Sequence, residues 1–241
     1  MIYPMMYFDP TYFLVIIGVI ICLIASAKMN ATFNKYSRVR SHTGMTGREA
    51  AEHVLRGAGI YDVKVEHVSG NLTDHYDPRS KVLRLSDATY NSPSVAAIGV
   101  AAHECGHAIQ HAEGYAPLTL RGALVPVANF GSAIAWPLIL IGLLINSSSS
   151  ALLLNLVEPR LGGVLIQGEK GTAKSTALPV EFNASRRAVR LLGSTGLLYE
   201  SEVADTKKVL TAAALTYVAG AASAILQLLR ILVLTGGRRS D

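Results

Sequence analysis

Hydrophobic positions crowd into three stretches of the chain, around residues 11–27, 132–146 and 209–235, while the segments between them mix polar and apolar residues as a globular domain does. The first stretch, Thr11 to Ala27, is 17 residues long. At about 1.5 Å per helical residue this is near the lower limit for crossing a bilayer, and the apolar residues from Met1 to Phe8 can extend it. Met1 to Pro10 carries only Asp9, whereas Lys28, Lys35, Arg38, Arg40 and Arg48 follow the run. A cleaved signal has its positive charge first, so the stretch reads as an anchor, with the N-terminus outside and the next domain on the cytoplasmic side. The second stretch centres on Ile134–Ile145 and ends in the polar tract Ser147–Ser150. The third, Val209 to Leu234, has Lys207 and Lys208 before it and Arg238 and Arg239 after it; Gly220, Ala224 and their small neighbours suit close helix packing in lipid.

Between the first two stretches the periodicity changes several times. Thr46 and Glu49 have the spacing of a capping box, opening a helix that Gly57 and Gly59 close. Tyr61 to Val68 alternates as a strand does. Asp77-Pro78-Arg79-Ser80 is a turn signal between Asn71–Tyr76 and Lys81–Ser86, which predicts a hairpin. From Ser94 the pattern becomes helical and runs through Ile109 to Gly114. The expected segments are an anchor at 1–28, a globular domain at 29–125, an apolar segment at 126–154, an atypical segment at 155–178, a helix at 179–208 and a membrane helix at 209–235.

Composition agrees with a membrane protein: of 241 residues, 50% are hydrophobic and 16% charged. The net charge of +5 sits beside the apolar runs, where membrane orientation explains it, and no recognition motif accompanies it, so nucleic acid is not an expected partner. Two cysteines, Cys22 and Cys105, exclude a multi-bridge disulfide scaffold.

The residues richest in chemistry are His103-Glu104-Cys105-Gly106-His107. Histidines four apart on a helix share a face, so their imidazoles can converge on one zinc ion while Glu104 sits beside them. Zinc with three protein ligands keeps a position for water, and Glu104 is placed to take the proton of that water as it attacks a peptide carbonyl. The third ligand must come from elsewhere. His111 lies roughly 12 Å along the helix from His103, too far for the same ion. Glu181, at the start of the helical segment Val180–Ala188, is the better candidate, with Glu113 the runner-up. Cys105 points to nearly the opposite face and reads as a packed thiol.

Four segments carry a family resemblance: Thr32–Ser37, Leu72–Arg79, the stretch from Gly99 through the histidines to Leu118, and Pro179–Ala188. Together they closely resemble the YugP-type membrane zinc metallopeptidases, over about residues 1–145 and 178–235. The resemblance implies a mainly α membrane protein with a small α+β zincin-like metalloprotease domain. It further implies a gluzincin-like endopeptidase acting on polypeptide substrates with Zn2+, in which His103, His107 and Glu181 are zinc ligands and Glu104 is the general base. The Glu181 segment is also similar to the glutamate motif of HtpX-like membrane proteases, in which an Asp usually takes the place of Ser185.

Residues 156–176 depart from that family's pattern, where a further apolar helix is expected. They resemble instead the phosphate-binding strand and loop of the magnesium-chelatase ATPase subunit, with Val164–Gln167 as strand and Gly168–Thr176 as loop. On that reading the backbone at Gly168 and Gly171 faces phosphate, Lys174 reaches the outer phosphates and Ser175 holds magnesium. No second magnesium ligand, arginine finger or nucleotide-binding sheet follows in the chain, and Pro179 interrupts the helix such a loop needs. If the second apolar run crosses the membrane and these residues do not cross back, Glu181 is separated from the histidines. Residues 155–208 carry eight Lys or Arg, which favours the cytoplasmic side and a short hairpin around Ser147–Ser150. The competing expectations are therefore a zinc endopeptidase, a nucleotide-binding membrane protein using Lys174, and an inactive, chimeric or degenerate zincin.

Overall fold

The computed structural model describes residues 10–123, 126, 130 and 162–236. Its elements run α1 (Tyr12–Tyr36), α2 (Gly47–Gly57), β1 (Lys64–His67), β2 (His75–Asp77), β3 (Val82–Leu85), α3 (Val95–Ala112), α4 (Gly162–Ser194) and α5 (Glu200–Gly236). The described residues are mostly helical, with one small sheet. The apolar run and hairpin expected at 132–154 lie outside the described residues.

Local chemistry starts each helix of the globular part. Thr46 caps α2 through the capping box: its hydroxyl accepts from the Glu49 amide at 3.3 Å, and the Glu49 carboxylate accepts from the Thr46 amide at 2.8 Å. Ser94 caps α3, its hydroxyl accepting from the Ala97 amide at 3.2 Å. Gly59 follows α2 with φ +73°, a conformation that a Cβ would strain. Asp77 ties the hairpin turn by accepting from the Arg79 amide at 3.0 Å and the Ser80 hydroxyl at 2.6 Å.

The sheet order is β1-β3-β2. The hairpin expected from the turn signal is present, with β2 antiparallel to β3 and Tyr76 opposite Leu83. β1 pairs in parallel with β3 on the other side, Val65 opposite Leu83, leaving β3 central. Position decides composition here: β3 buries Val82, Leu83 and Leu85, whereas edge strand β1 is largely exposed. Against the sheet pack Val54 and Leu55 of α2, Ile98, Ala101, Ala102 and Cys105 of α3, and Ala188 and Leu192 of α4, in one core.

The chain divides into two compact units. One comprises residues 25–123 and 176–217, so the helix bearing Glu181 belongs with the globular domain despite the long separation in sequence. In the other, α1 and α5 approach closely at Gly18, where an added Cβ would stand 2.7 Å from Ser223 Oγ. Arg230 donates to Thr11 Oγ1 at 3.1 Å and lies 4.0 Å from the Tyr12 ring centroid. Both helices are long and apolar enough to cross a bilayer, with mean hydropathies of 2.4 and 1.8, and Phe13, Leu23, Ile24, Ile225, Leu232 and Val233 are exposed along them.

Three expectations change. The strand at Val164–Gln167 and loop at Gly168–Thr176 are absent: α4 runs unbroken from Gly162 to Ser194, placing Gly168, Gly171, Lys174 and Ser175 on helical backbone. A strand needs a neighbour, and among the described residues the sheet offers it none; a helix satisfies its backbone internally. The anchor continues as helix past residue 28 to Tyr36, and the C-terminal helix starts at Glu200, ahead of its apolar run.

Leu83, fully buried at the centre of the core, should be costly to truncate. Leu83→Ala is expected to lose about 2–5 kcal/mol in denaturant unfolding, and Tyr61→Ala, on the exposed surface, within about 0.5 kcal/mol of zero.

Candidate metal centre

Close packing of α3 and α4 makes the site. α3 is built of small residues on its buried face, and Gly106, inside the histidine motif, lies against α4 so tightly that a Cβ there would stand 2.7 Å from the Ala184 carbonyl oxygen and 3.0 Å from its Cα. Gly99, about two turns earlier on α3, allows the same closeness to Thr206 of α5, where a Cβ would meet Cγ2 at 2.6 Å. The helix with the histidines is thus gripped from two sides.

At this contact His103, His107 and Glu181 converge, one donor atom from each lying within 4.8 Å of the others. His103 Nε2 is 3.2 Å and His107 Nε2 3.3 Å from the same oxygen, Glu181 Oε2. Charge-assisted N–H···O bonds usually close to about 2.7–2.9 Å. Two ligands of a tetrahedral zinc ion with bonds of about 2.0–2.1 Å are separated by about 3.3 Å, which is the spacing found. The second nitrogen of each ring has its own partner: His103 Nδ1 lies 3.1 Å from Ser185 Oγ, and His107 Nδ1 lies 3.1 Å from Gln110 Oε1. Rings held at Nδ1 with Nε2 turned to a common point suit metal ligation.

Glu181 is 3% exposed, and its second oxygen, Oε1, accepts from Arg121 at 3.2 Å. Tyr217 lies close enough to feel the charge of this carboxylate. Burial alone would raise its pKa, but the bonds from His103 and His107 outweigh burial and hold it far below the usual carboxylate range. His107 is shifted the other way: burial lowers its pKa, while the bond to Glu181 and the charges of Glu104 and Glu181 more than compensate and raise it. Glu104, 9% exposed, has no hydrogen-bond partner among the described residues, though it lies close enough to act electrostatically on His107 and Tyr217. A buried carboxylate without a partner is costly, so the pocket fits a group that brings one, such as a metal with its water.

The other expected residues fall elsewhere. Glu113 caps α3 outside the cluster and pairs with Arg187 at 2.7 Å, and exposed His111 meets the Tyr76 hydroxyl at 2.9 Å. Cys105 is fully buried, its thiol 3.6 Å from the Ala51 carbonyl and its pKa raised by burial. Arg121 and Tyr217 were not legible as site residues, because each reaches the cluster only through tertiary packing; Gln110, one turn from His107 on the same helix, carried a spacing signal that sequence reading passed over.

The chain matches the family described as "Putative neutral zinc metallopeptidase" over residues 11–236. It is 43% identical over 227 residues to the "Putative membrane protease YugP" of Bacillus subtilis, covering 94% of this chain and 97% of that protein. A separate stretch of 28 residues is 71% identical to the "Magnesium-chelatase subunit ChlI homolog" of Methanocaldococcus jannaschii, 12% of this chain and 8% of that one. No solved structure matches the chain.

Two outcomes follow from the geometry. Gly106→Ala should force α4 away from α3 and weaken metal binding at least about tenfold, read by chelator competition, while the fold persists by circular dichroism. In metal-free protein, lowered Glu181 adds stability above its ordinary 4.5 and loses it as pH falls, and raised His107 adds stability below its ordinary 6.5 and loses it as pH rises. The thermal-unfolding gap between wild type and Glu181→Gln should therefore be widest between pH 4.5 and 6.5 and narrow on both sides.

Proposed function

The chain belongs to the neutral zinc metallopeptidase family, and on that footing we propose that it is an integral-membrane, zinc-dependent endopeptidase with a gluzincin-like site in a zincin-like domain. His103, His107 and Glu181 hold the metal, and Glu104 is the general base. The observation that carries this reading is the convergence of two imidazoles and one carboxylate oxygen beside a buried carboxylate that has no hydrogen-bond partner among the described residues. When bound, zinc polarises a peptide carbonyl and lowers the pKa of a bound water.

The chain's own residues supply the rest. Glu104, without a competing hydrogen-bond donor among the described residues, accepts the proton as water attacks and returns it to the leaving amine. Arg121 holds Glu181 Oε1, so that Oε2 is the atom presented to the histidines. Tyr217 stands close enough to Glu181 and Glu104 to feel both charges, and its hydroxyl would donate toward charge developing on the substrate oxygen. β2 lies at one edge of the sheet and joins the active helix through the Tyr76–His111 bond; a peptide added along that edge would be held extended beside the site.

Membrane embedding through α1 and α5 accords with their length, hydropathy and exposed apolar side chains. The basic residues Lys28, Lys35, Arg38, Arg40, Lys207 and Lys208 favour the cytoplasmic side for the catalytic unit.

Purified protein should hold about one zinc per chain, lost in His107→Ala. Glu104→Gln should keep the metal and lose about 10²–10⁴-fold in peptide-hydrolysis rate. Zinc-free protein after careful preparation, or a Glu104→Gln variant as fast as wild type, would contradict the proposal.

A further inference from the structure

Beyond the ligands lies a chain of hydrogen bonds whose polarity is fixed at its far end. Arg187 Nε donates to Asn183 Oδ1 at 2.7 Å, and a guanidinium can only donate. Asn183 must therefore present its oxygen. That oxygen also faces Gln110 Nε2 at 2.9 Å, so Gln110 must present its amide nitrogen there. A second, independent constraint agrees: Gln110 Nε2 is 2.8 Å from the Val180 carbonyl, which can only accept. With both protons of its amide nitrogen directed at Asn183 and Val180, Gln110 turns Oε1 toward His107 Nδ1, 3.1 Å away. An amide oxygen can only accept, so His107 must carry its proton on Nδ1. Nε2, the nitrogen facing Glu181, is the one left to bind metal.

We propose that Arg187, Asn183 and Gln110 form a positioning relay that sets the tautomer of His107 and so prepares its Nε2 for the metal. The relay rests on the zinc reading above. Its far end is anchored by Glu113, paired with Arg187 at 2.7 Å, which gives that carboxylate a role although it lies outside the cluster. Gln110 is fully buried, so leaving any of its three polar contacts unmade is costly. His103 differs. Its Nδ1 faces the Ser185 hydroxyl, which donates or accepts equally well and dictates no tautomer. Of the two histidines, His107 is therefore the one whose proton is placed by the protein.

The sequence carries the relay in helical spacing. Gln110 follows His107 by three residues on α3, and Arg187 follows Asn183 by four on α4, so each pair shares a face. The same close approach that brings Glu181 to the histidines brings Asn183 to Gln110.

Full-length protein in detergent micelles gives two readouts: zinc affinity by chelator competition, and histidine side-chain 15N NMR of the metal-free protein. Gln110→Leu and Asn183→Leu are expected to weaken zinc about 10–100-fold, as loss of a ligand's supporting bond does elsewhere. Asn183→Asp keeps an oxygen for both donors, and Arg187→Lys keeps a donor-only group, so both should stay within about threefold of wild type, with Arg187→Met falling between. In metal-free wild type the His107 Nδ1 proton should be present, and Gln110→Leu should release that preference. Asn183→Asp binding as weakly as Asn183→Leu, Gln110→Leu binding as tightly as wild type, or a bare His107 Nδ1 in wild type would overturn the relay. If Asn183→Leu does not fold, the Asp, Lys and Met variants decide. If wild type takes up no zinc, the zinc reading fails, and the 15N spectrum still judges whether the relay holds the Nδ1 proton.

Discussion

Everything in the site depends on how closely α3 and α4 approach at Gly106. A side chain there would overlap the backbone of Ala184, so the helices can meet at this distance only because the position has none. From that contact follow the convergence of Glu181 with His103 and His107, the bond from Ser185 to His103, and the network joining Gln110 to Asn183 and Val180. Such a contact is unforgiving: backbone against backbone has no rotamer to yield, and a shift of a fraction of an ångström moves every donor in the cluster.

Burial then sets the electrostatics. Glu181 is an almost fully buried carboxylate, a state that is costly unless the charge is met, and it is met by two imidazoles and Arg121. Glu104 differs in kind, being buried without a hydrogen-bond partner among the described residues. Two carboxylates in one pocket with opposite degrees of satisfaction divide the labour of the proposed chemistry: one fixed as a ligand, the other kept available for a proton.

Much of this was readable in the chain because it is local. The histidine spacing, the capping box at Thr46, the helix start at Ser94 and the Asp77 turn each depend on residues a few positions apart. What sequence reading missed depends on distant partners. Gln110 meets Val180 and Asn183 across 70 and 73 residues, and Arg121 meets Glu181 across 60. The parallel pairing of β1 with β3, around an intervening strand, has no local signal either. The segment at 162–176 failed for the converse reason: its glycine, lysine and serine spacing copies a phosphate loop, but that loop needs a sheet on which to sit. With no strand beside it among the described residues, the backbone there is helical. Glu181 and the two histidines lie in one compact unit, with their donor atoms close together.

The central claim, that His103, His107 and Glu181 hold a zinc ion, is tested most directly by X-ray absorption at the zinc edge of the purified, full-length protein. Two imidazole nitrogens and oxygen donors at about 2.0–2.1 Å are expected, with no sulfur, because the Cys105 thiol is packed against Ala51. A sulfur shell at about 2.3 Å, or the scattering of fewer than two imidazoles, would contradict it.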